Sequence, residues 1–119
     1  MSLSLAHVTF DCTHAAGLAA FWSKALDRPV DPDASEFFAT IGRVGEQPGP
    51  AWMFIKVPEA KQVKNRVHVD LAADDWAGEV ARVVELGATH VSDHDEYGAR
   101  WATLTDPEGN EFDIGDATR

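Results

Sequence analysis

From Leu5 to Cys12 hydrophobic and polar positions alternate, with Val8, Phe10 and Cys12 on one side and His7, Thr9 and Asp11 on the other. This is the period of a half-buried strand. After Ala15 the period lengthens: Leu18, Phe21, Trp22, Ala25 and Leu26 recur at helical spacing, the stripe of an amphipathic helix that Thr13 or His14 opens and Pro29 closes. Glu36–Ile41 and Ala51–Val57 read as strands separated by a loop rich in Gly and Pro, and Pro58–Lys64 as a polar connection.

The pattern then starts again. Arg66–Ala72 alternates, with Val67, Val69 and Leu71 opposite His68, Asp70 and Ala72. A second helix follows, capped by Asp74 or Asp75, striped by Trp76, Val80, Val83 and Val84, and closed by Gly87 in a left-handed conformation. Three strands complete the chain: Thr89–His94, Arg100–Leu104 and Glu111–Ile114, the last two joined by the turn Asp106-Pro107-Glu108-Gly109-Asn110. A shift of 61 residues lays His7 on His68, Val8 on Val69 and Ala15 on Trp76, so the simplest account is a duplicated βαβββ unit. The expected class is α+β: two modules, about 5–57 and 66–115, whose sheets pair and curve around a cleft with the helices outside. A chain of 119 residues is one domain's worth, and neither half carries enough apolar side chains to stand alone.

Composition narrows the function. Twenty acidic against ten basic residues give a net charge of −10, a field that repels nucleic acid and anionic membranes. The single Cys12 forms no disulfide within the chain, and no signal peptide or long apolar run is present, so a cytoplasmic location is expected. Cys12 falls on the packed side of its strand, where burial rather than thiol chemistry is expected. The sequence has no G-x-G-x-x-G, P-loop, G-x-S-x-G or C-x-x-C motif.

Three side chains on polar strand faces stand out: His7, His68 and Asp113. Two imidazoles and a carboxylate with open positions suit Fe(II), Mn(II), Ni(II) or Zn(II), an ion able to polarise a carbonyl or stabilise an enediolate. The plainer reading of each His is a hydrogen-bonded strand residue. His14, His90 and His94 read as caps or surface residues near turns. Glu111 and Asp70 share faces with the proposed ligands and are candidate general bases, although Asp70 equally reads as a hydrogen-bond acceptor. Arg66 and Lys64 are candidate anchors for an anionic substrate, or simply solvated. Trp52 and Phe54 alternate with Met53 and Ile55; one pair fills the core and the other lines the cavity, with Trp52 and Phe54 taken as the substrate-binding pair.

The opening His7-Val8-Thr9-Phe10-Asp11-Cys12 with Ala20-Phe21-Trp22, and then Lys64-Asn65-Arg66-Val67-His68-Val69-Asp70-Leu71, Glu85-Leu86-Gly87-Ala88 and Asp106-Pro107-Glu108-Gly109-Asn110-Glu111-Phe112, resemble the glyoxalase-like branch of the vicinal oxygen chelate (glyoxalase/bleomycin-resistance/dioxygenase) superfamily. The resemblance covers most of the chain, and the Asp-Pro-Glu-Gly-Asn-Glu-Phe turn is its most specific element. It implies metal ligands on the first strand of each module and on a last strand, which here are His7, His68 and Asp113. Asp113 stands where many relatives carry Glu, and Trp52–Lys56 offers no fourth ligand, a pattern closer to three-ligand dioxygenases or epimerases. The implied function is a metal-dependent lyase, isomerase or dioxygenase acting on a small oxygen-chelating substrate. The rival is a metal-free, drug-sequestering binder of the bleomycin-resistance type. Either implies a homodimer with a small-molecule ligand.

Overall fold

The computed structural model describes residues 2–119. Its elements are β1 (His7–Cys12), α1 (Ala15–Leu26), β2 (Phe38–Ile41), β3 (Ala51–Lys56), β4 (Val69–Ala73), α2 (Trp76–Leu86), β5 (Thr89–Glu96), β6 (Ala99–Thr105) and β7 (Glu111–Asp116). They make an α+β fold with one sheet ordered β1-β3-β2 and another ordered β4-β7-β6-β5, held in two compact units that divide between Ala60 and Lys61. In each unit the first strand lies parallel to the last, β1 on β3 and β4 on β7, and the remaining pairs are antiparallel. A helix supplies the crossover that parallel neighbours require.

The expected third strand after α1 is reduced to one bridge, Val30 to Ile41, the place β5 takes in the second sheet. Pro29 and Pro32 flank Val30 and have no N–H to give to a ladder. Asp31 closes the segment instead. Its buried carboxylate accepts from the Thr40 hydroxyl at 2.6 Å and the Arg43 amide at 2.9 Å. Burial alone would raise its pKa, but the bonds from Thr40 and the amides of residues 42–44 prevail and lower it.

Both helices start on side-chain caps. His14 Nδ1 accepts from the Gly17 amide at 3.0 Å, and Asp75 Oδ1 from the Gly78 amide at 3.2 Å. α1 ends on Asp27 in the left-handed region and α2 on Gly87 at φ 127°. The face of α1 carrying Leu18, Phe21 and Trp22 covers an aromatic cluster: the Trp22 ring lies 5.6 Å from Phe10, 5.2 Å from Phe21 and 5.1 Å from Trp52. In α2 only Val83 is buried, while Val84 is exposed, so the expected four-residue stripe is narrower than the sequence pattern. Val67 likewise leaves the expected core. β4 begins at Val69, opposite Phe112 near the start of β7; Val67 precedes that ladder and is 84% exposed.

α2 is tied to its sheet by polar links. The Trp76 indole donates to the Ile114 carbonyl at 2.8 Å, and the Arg100 guanidinium lies over the Trp76 ring, 4.5 Å from its centroid. Arg100 also donates to buried Asp116 at 2.7 Å. Bonds from the Thr118 hydroxyl and amide and from Arg100 outweigh burial and hold the Asp116 carboxyl down to about 2. A carboxyl whose pKa is lower folded than unfolded stabilises the fold above its unfolded value and loses that contribution as the pH falls. Stability should therefore drop between pH 3.8 and about 2, with Asp31 and Glu111, both shifted downward, adding to the same limb. In thermal melts from pH 2 to 7, Asp116→Asn is expected to melt lower at neutral pH and to show a flatter acid limb than the parent.

Candidate metal centre

The second sheet has two unlike faces. Ala102, Leu104, Phe112 and Ile114 are buried, so the intervening Trp101, Thr103, Glu111 and Asp113 point the other way. On β4 the same alternation turns Asp70 to that open face, and His68, two residues earlier, joins it just before the ladder begins. In the register of the parallel pair Asp70 stands opposite Asp113.

The result is a compact set of donors. His68 Nδ1 lies 3.2 Å from Asp70 Oδ1 and 3.8 Å from Asp113 Oδ2, and one ligand atom from each of the three residues falls within 4.8 Å of the others. Ligands about 2.1 Å from a shared ion stand about 3 Å apart when adjacent and about 4 Å when opposed, and the two distances from His68 fall in that range. The charges also fit. Two carboxylates in register on neighbouring strands repel, and a cation between them, or a protonated imidazole, removes that cost. Thr103, paired with Asp113 from β6, donates its hydroxyl to Asp113 Oδ1 at 2.8 Å and leaves Oδ2 turned to His68.

The turn that delivers β7 is built by Asp106. Its Oδ1 accepts from the amides of Glu108 at 2.9 Å and Asn110 at 3.0 Å, while Asn110 Nδ2 reaches Oδ2 at 2.9 Å. Gly109 takes φ 86°, a conformation that favours glycine. The specificity of this sequence motif thus has a local cause: it fixes where Glu111 and Asp113 begin.

His7 lies exposed on β1, in the first unit. Glu111 is engaged as an anchor: it accepts from the Asn65 amide at 2.9 Å and from Lys61 at 3.2 Å. Burial would raise its pKa, but the bonds from Asn65 and Lys61 lower it. Arg66 and Lys64 are exposed in the segment before β4.

Trp52 and Phe54, expected to line the ligand site, instead face α1, 7% and 0% exposed. Phe10 stacks on both, at 5.5 Å from each ring. Met53 and Ile55 take the opposite face of β3. Cys12 is buried, as expected.

Two residues on the open face of the second sheet escaped the sequence reading. His94, expected near a turn, lies within β5 opposite Trp101, and the two rings stack at 5.0 Å. The strict alternation of Trp101, Thr103 and Thr105 with Ala102 and Leu104 is the signal that marks this face.

A family model described as a glyoxalase-like domain matches residues 7–115. No protein of curated function matches the chain in sequence. Among solved structures, a glyoxalase/bleomycin resistance protein/dioxygenase family enzyme from Burkholderia phytofirmans is 18% identical, with 95% of this chain and 98% of that one covered and a TM-score of 0.77. A mutant of the fosfomycin resistance protein FosX from Listeria monocytogenes, in complex with Mn(II) and a dihydroxypropylphosphonic acid, is 12% identical over 98% and 91% of the two chains, with a TM-score of 0.78. A possible glyoxalase from Bacillus cereus is 15% identical over 96% and 99%, with a TM-score of 0.69. At these identities the structures share the fold, and the family rests on the match that spans almost the whole chain: this protein belongs to the glyoxalase-like domain family.

Proposed function

We propose that this protein is a metal-dependent enzyme acting on a small substrate with adjacent oxygen atoms, and that His68, Asp70 and Asp113 hold the ion. The observation that carries the reading is the convergence of their donor atoms within 4.8 Å on an open sheet face. The Mn(II) complex of the FosX mutant, a protein of the same fold, supports a divalent ion of this kind. Mn(II), Fe(II), Ni(II) and Zn(II) all suit an imidazole with two carboxylates.

When bound, the ion would supply Lewis-acid polarisation of the substrate's oxygens. The protein's own part is positional. Thr103 orients Asp113 through its 2.8 Å bond, and the Asp106 turn sets the phase of β7. Asp70, whose side chain is 71% exposed, keeps an oxygen for a proton leaving the substrate. That proton transfer belongs to isomerases, epimerases, lyases and ring-cleaving oxygenases alike, so the fold does not choose among them.

The test is elemental analysis and metal titration of protein prepared without a histidine tag or chelator. About one transition metal per chain supports the reading. Failure to bind Mn(II), Fe(II), Ni(II) and Zn(II) overturns it in favour of metal-free ligand binding. Thr103→Val is expected to weaken metal affinity about tenfold, the usual effect of losing a group that orients a ligand, and Thr103→Ser to restore it. His7→Ala separates the donor sets: unchanged affinity leaves the ion with the three donors of the second unit, and a loss adds His7 to them.

A further inference from the structure

Of the three proposed ligands, His68 alone stands outside the ladder of the second sheet. Asp70 and Asp113 are partners within it, whereas β4 opens at Val69, on Phe112. The chain ahead of His68, residues 61–67, belongs to no helix or strand. Strand pairing therefore does not by itself explain how the imidazole is held against the two carboxylates.

Glu111, the residue of β7 just before Phe112, is placed to do so. Its carboxylate turns back to the incoming segment. Oε1 accepts from the Asn65 amide at 2.9 Å and lies 3.1 Å from Lys61 Nζ, while Oε2 accepts from Lys61 Nζ at 3.2 Å. Lys61 Nζ also donates to the Val63 carbonyl, so one ammonium ties the start of the segment to its middle. The chain is thereby pinned to neighbouring residues of β7 on both sides of His68: Asn65 to the side chain of Glu111, and Val69 through the ladder to Phe112. Only residues 66–68 lie between the two pins, and a span that short has few conformations left to it. The Glu111 side chain is 18% exposed, so its charge-assisted bonds are sheltered from water.

We propose that Glu111 is a positioning residue of the metal centre: with Lys61 it clasps the segment 61–65 and so sets His68 against Asp70 and Asp113. The proposal rests on the metal-centre reading for what His68 binds and goes beyond it by naming how the ligand outside the ladder is placed. Glu111 acts through the backbone between Asn65 and His68. Coupling of this kind is reciprocal: a loosened clasp weakens the hold on the ion, and an ion held by His68 steadies the segment. The segment carries its own reporters, because Lys64 and Arg66 are exposed within it, and proteolysis there tracks how often the chain opens.

The experiment compares the parent, Glu111→Ala, Glu111→Gln and Lys61→Met. It measures Mn(II) affinity, the rate of trypsin cleavage after Lys64 and Arg66, and the nuclear magnetic resonance signals of the His68 ring in metal-free protein, assigned with His68→Ala. Glu111→Ala is expected to bind Mn(II) about tenfold more weakly, the cost of ordering about one further residue of backbone on binding. It should also be cut about tenfold faster at both bonds and show moved His68 signals. Glu111→Gln keeps an oxygen for the Asn65 amide and should recover most of all three effects. Lys61→Met leaves β7 untouched and should show part of each, and saturating Mn(II) should slow cleavage of the parent. Parent-like Mn(II) affinity and His68 signals in Glu111→Ala overturn the proposal whatever the cleavage rate does. A loss that Glu111→Gln does not recover and Lys61→Met does not share overturns it as well, since the effect then lies in β7 itself. If Glu111→Ala does not fold, Lys61→Met carries the same test, and parent-like values in it overturn the clasp. A parent that takes up no Mn(II) removes the metal-centre reading but leaves the clasp decidable: moved His68 signals with faster cleavage support it, and unmoved signals overturn it.

Discussion

His68→Ala is expected to weaken metal binding by roughly a hundredfold or more while leaving the protein folded. The imidazole is one of three donors, and two carboxylates left alone are a poor cage for Mn(II), Ni(II) or Zn(II), for which nitrogen donors add affinity. Its removal should cost the fold little. The His68 side chain is 35% exposed and lies ahead of the β4 ladder, and substitutions at such places usually change stability by less than about 0.5 kcal/mol. Thermal melts read both effects together. An ion at 100 times its dissociation constant stabilises the parent by about 2.7 kcal/mol, whereas the variant should melt at the same temperature with or without metal. A variant that keeps a stoichiometric ion removes the cluster as the site.

Trp22→Ala should destabilise the protein by about 3–5 kcal/mol, the range for truncating a buried tryptophan or phenylalanine. Trp22 is 0% exposed and touches Phe10, Phe21 and Trp52, so its loss leaves an indole-sized void between α1 and its sheet. Typical domains hold only about 5–15 kcal/mol in total, so the variant would populate unfolded chain on mild heating. Urea unfolding followed by circular dichroism measures the difference, and Trp22→Leu should fall between the two. A cost below about 1 kcal/mol would show that this cluster is not the core of the first unit.

Much of this was legible in the sequence because side-chain period reports burial directly. β1, α1 and α2 were expected near their observed bounds, and the caps at His14, Asp75 and Gly87 follow from local hydrogen bonding that needs no tertiary context. β3 was not legible in the same way. Ala51–Lys56 is apolar on both faces, and only the placement of α1 over Trp52 and Phe54 decides which face is core. The start of β4 depended on where its partner begins, which displaced Val67 to solvent. The third strand that the βαβββ pattern calls for after α1 had no segment marked for it in the sequence, and it is reduced to the Val30 bridge beside two prolines. At the site, alternation correctly put His68 and Asp70 on one face and Asp113 on the polar face of its strand, but the in-register meeting of Asp70 and Asp113 depends on a pairing between strands some forty residues apart. The stack of His94 on Trp101 has the same origin and was invisible for the same reason.

The two units divide their residues differently. Among the described residues, eleven of the seventeen buried hydrophobic ones, from Cys12 to Phe54, belong to the first unit, while the donor cluster and Trp101 belong to the second. A library of random variants scored for both abundance and activity should therefore sort by position. Changes at Leu18, Trp22 or Phe54 would deplete the protein itself, whereas changes at His68, Asp70 or Thr103 would leave normal amounts of an impaired one. For directed evolution toward new ligands, the open face of the second sheet is the place to randomise, and the aromatic cluster under α1 is the place to leave alone.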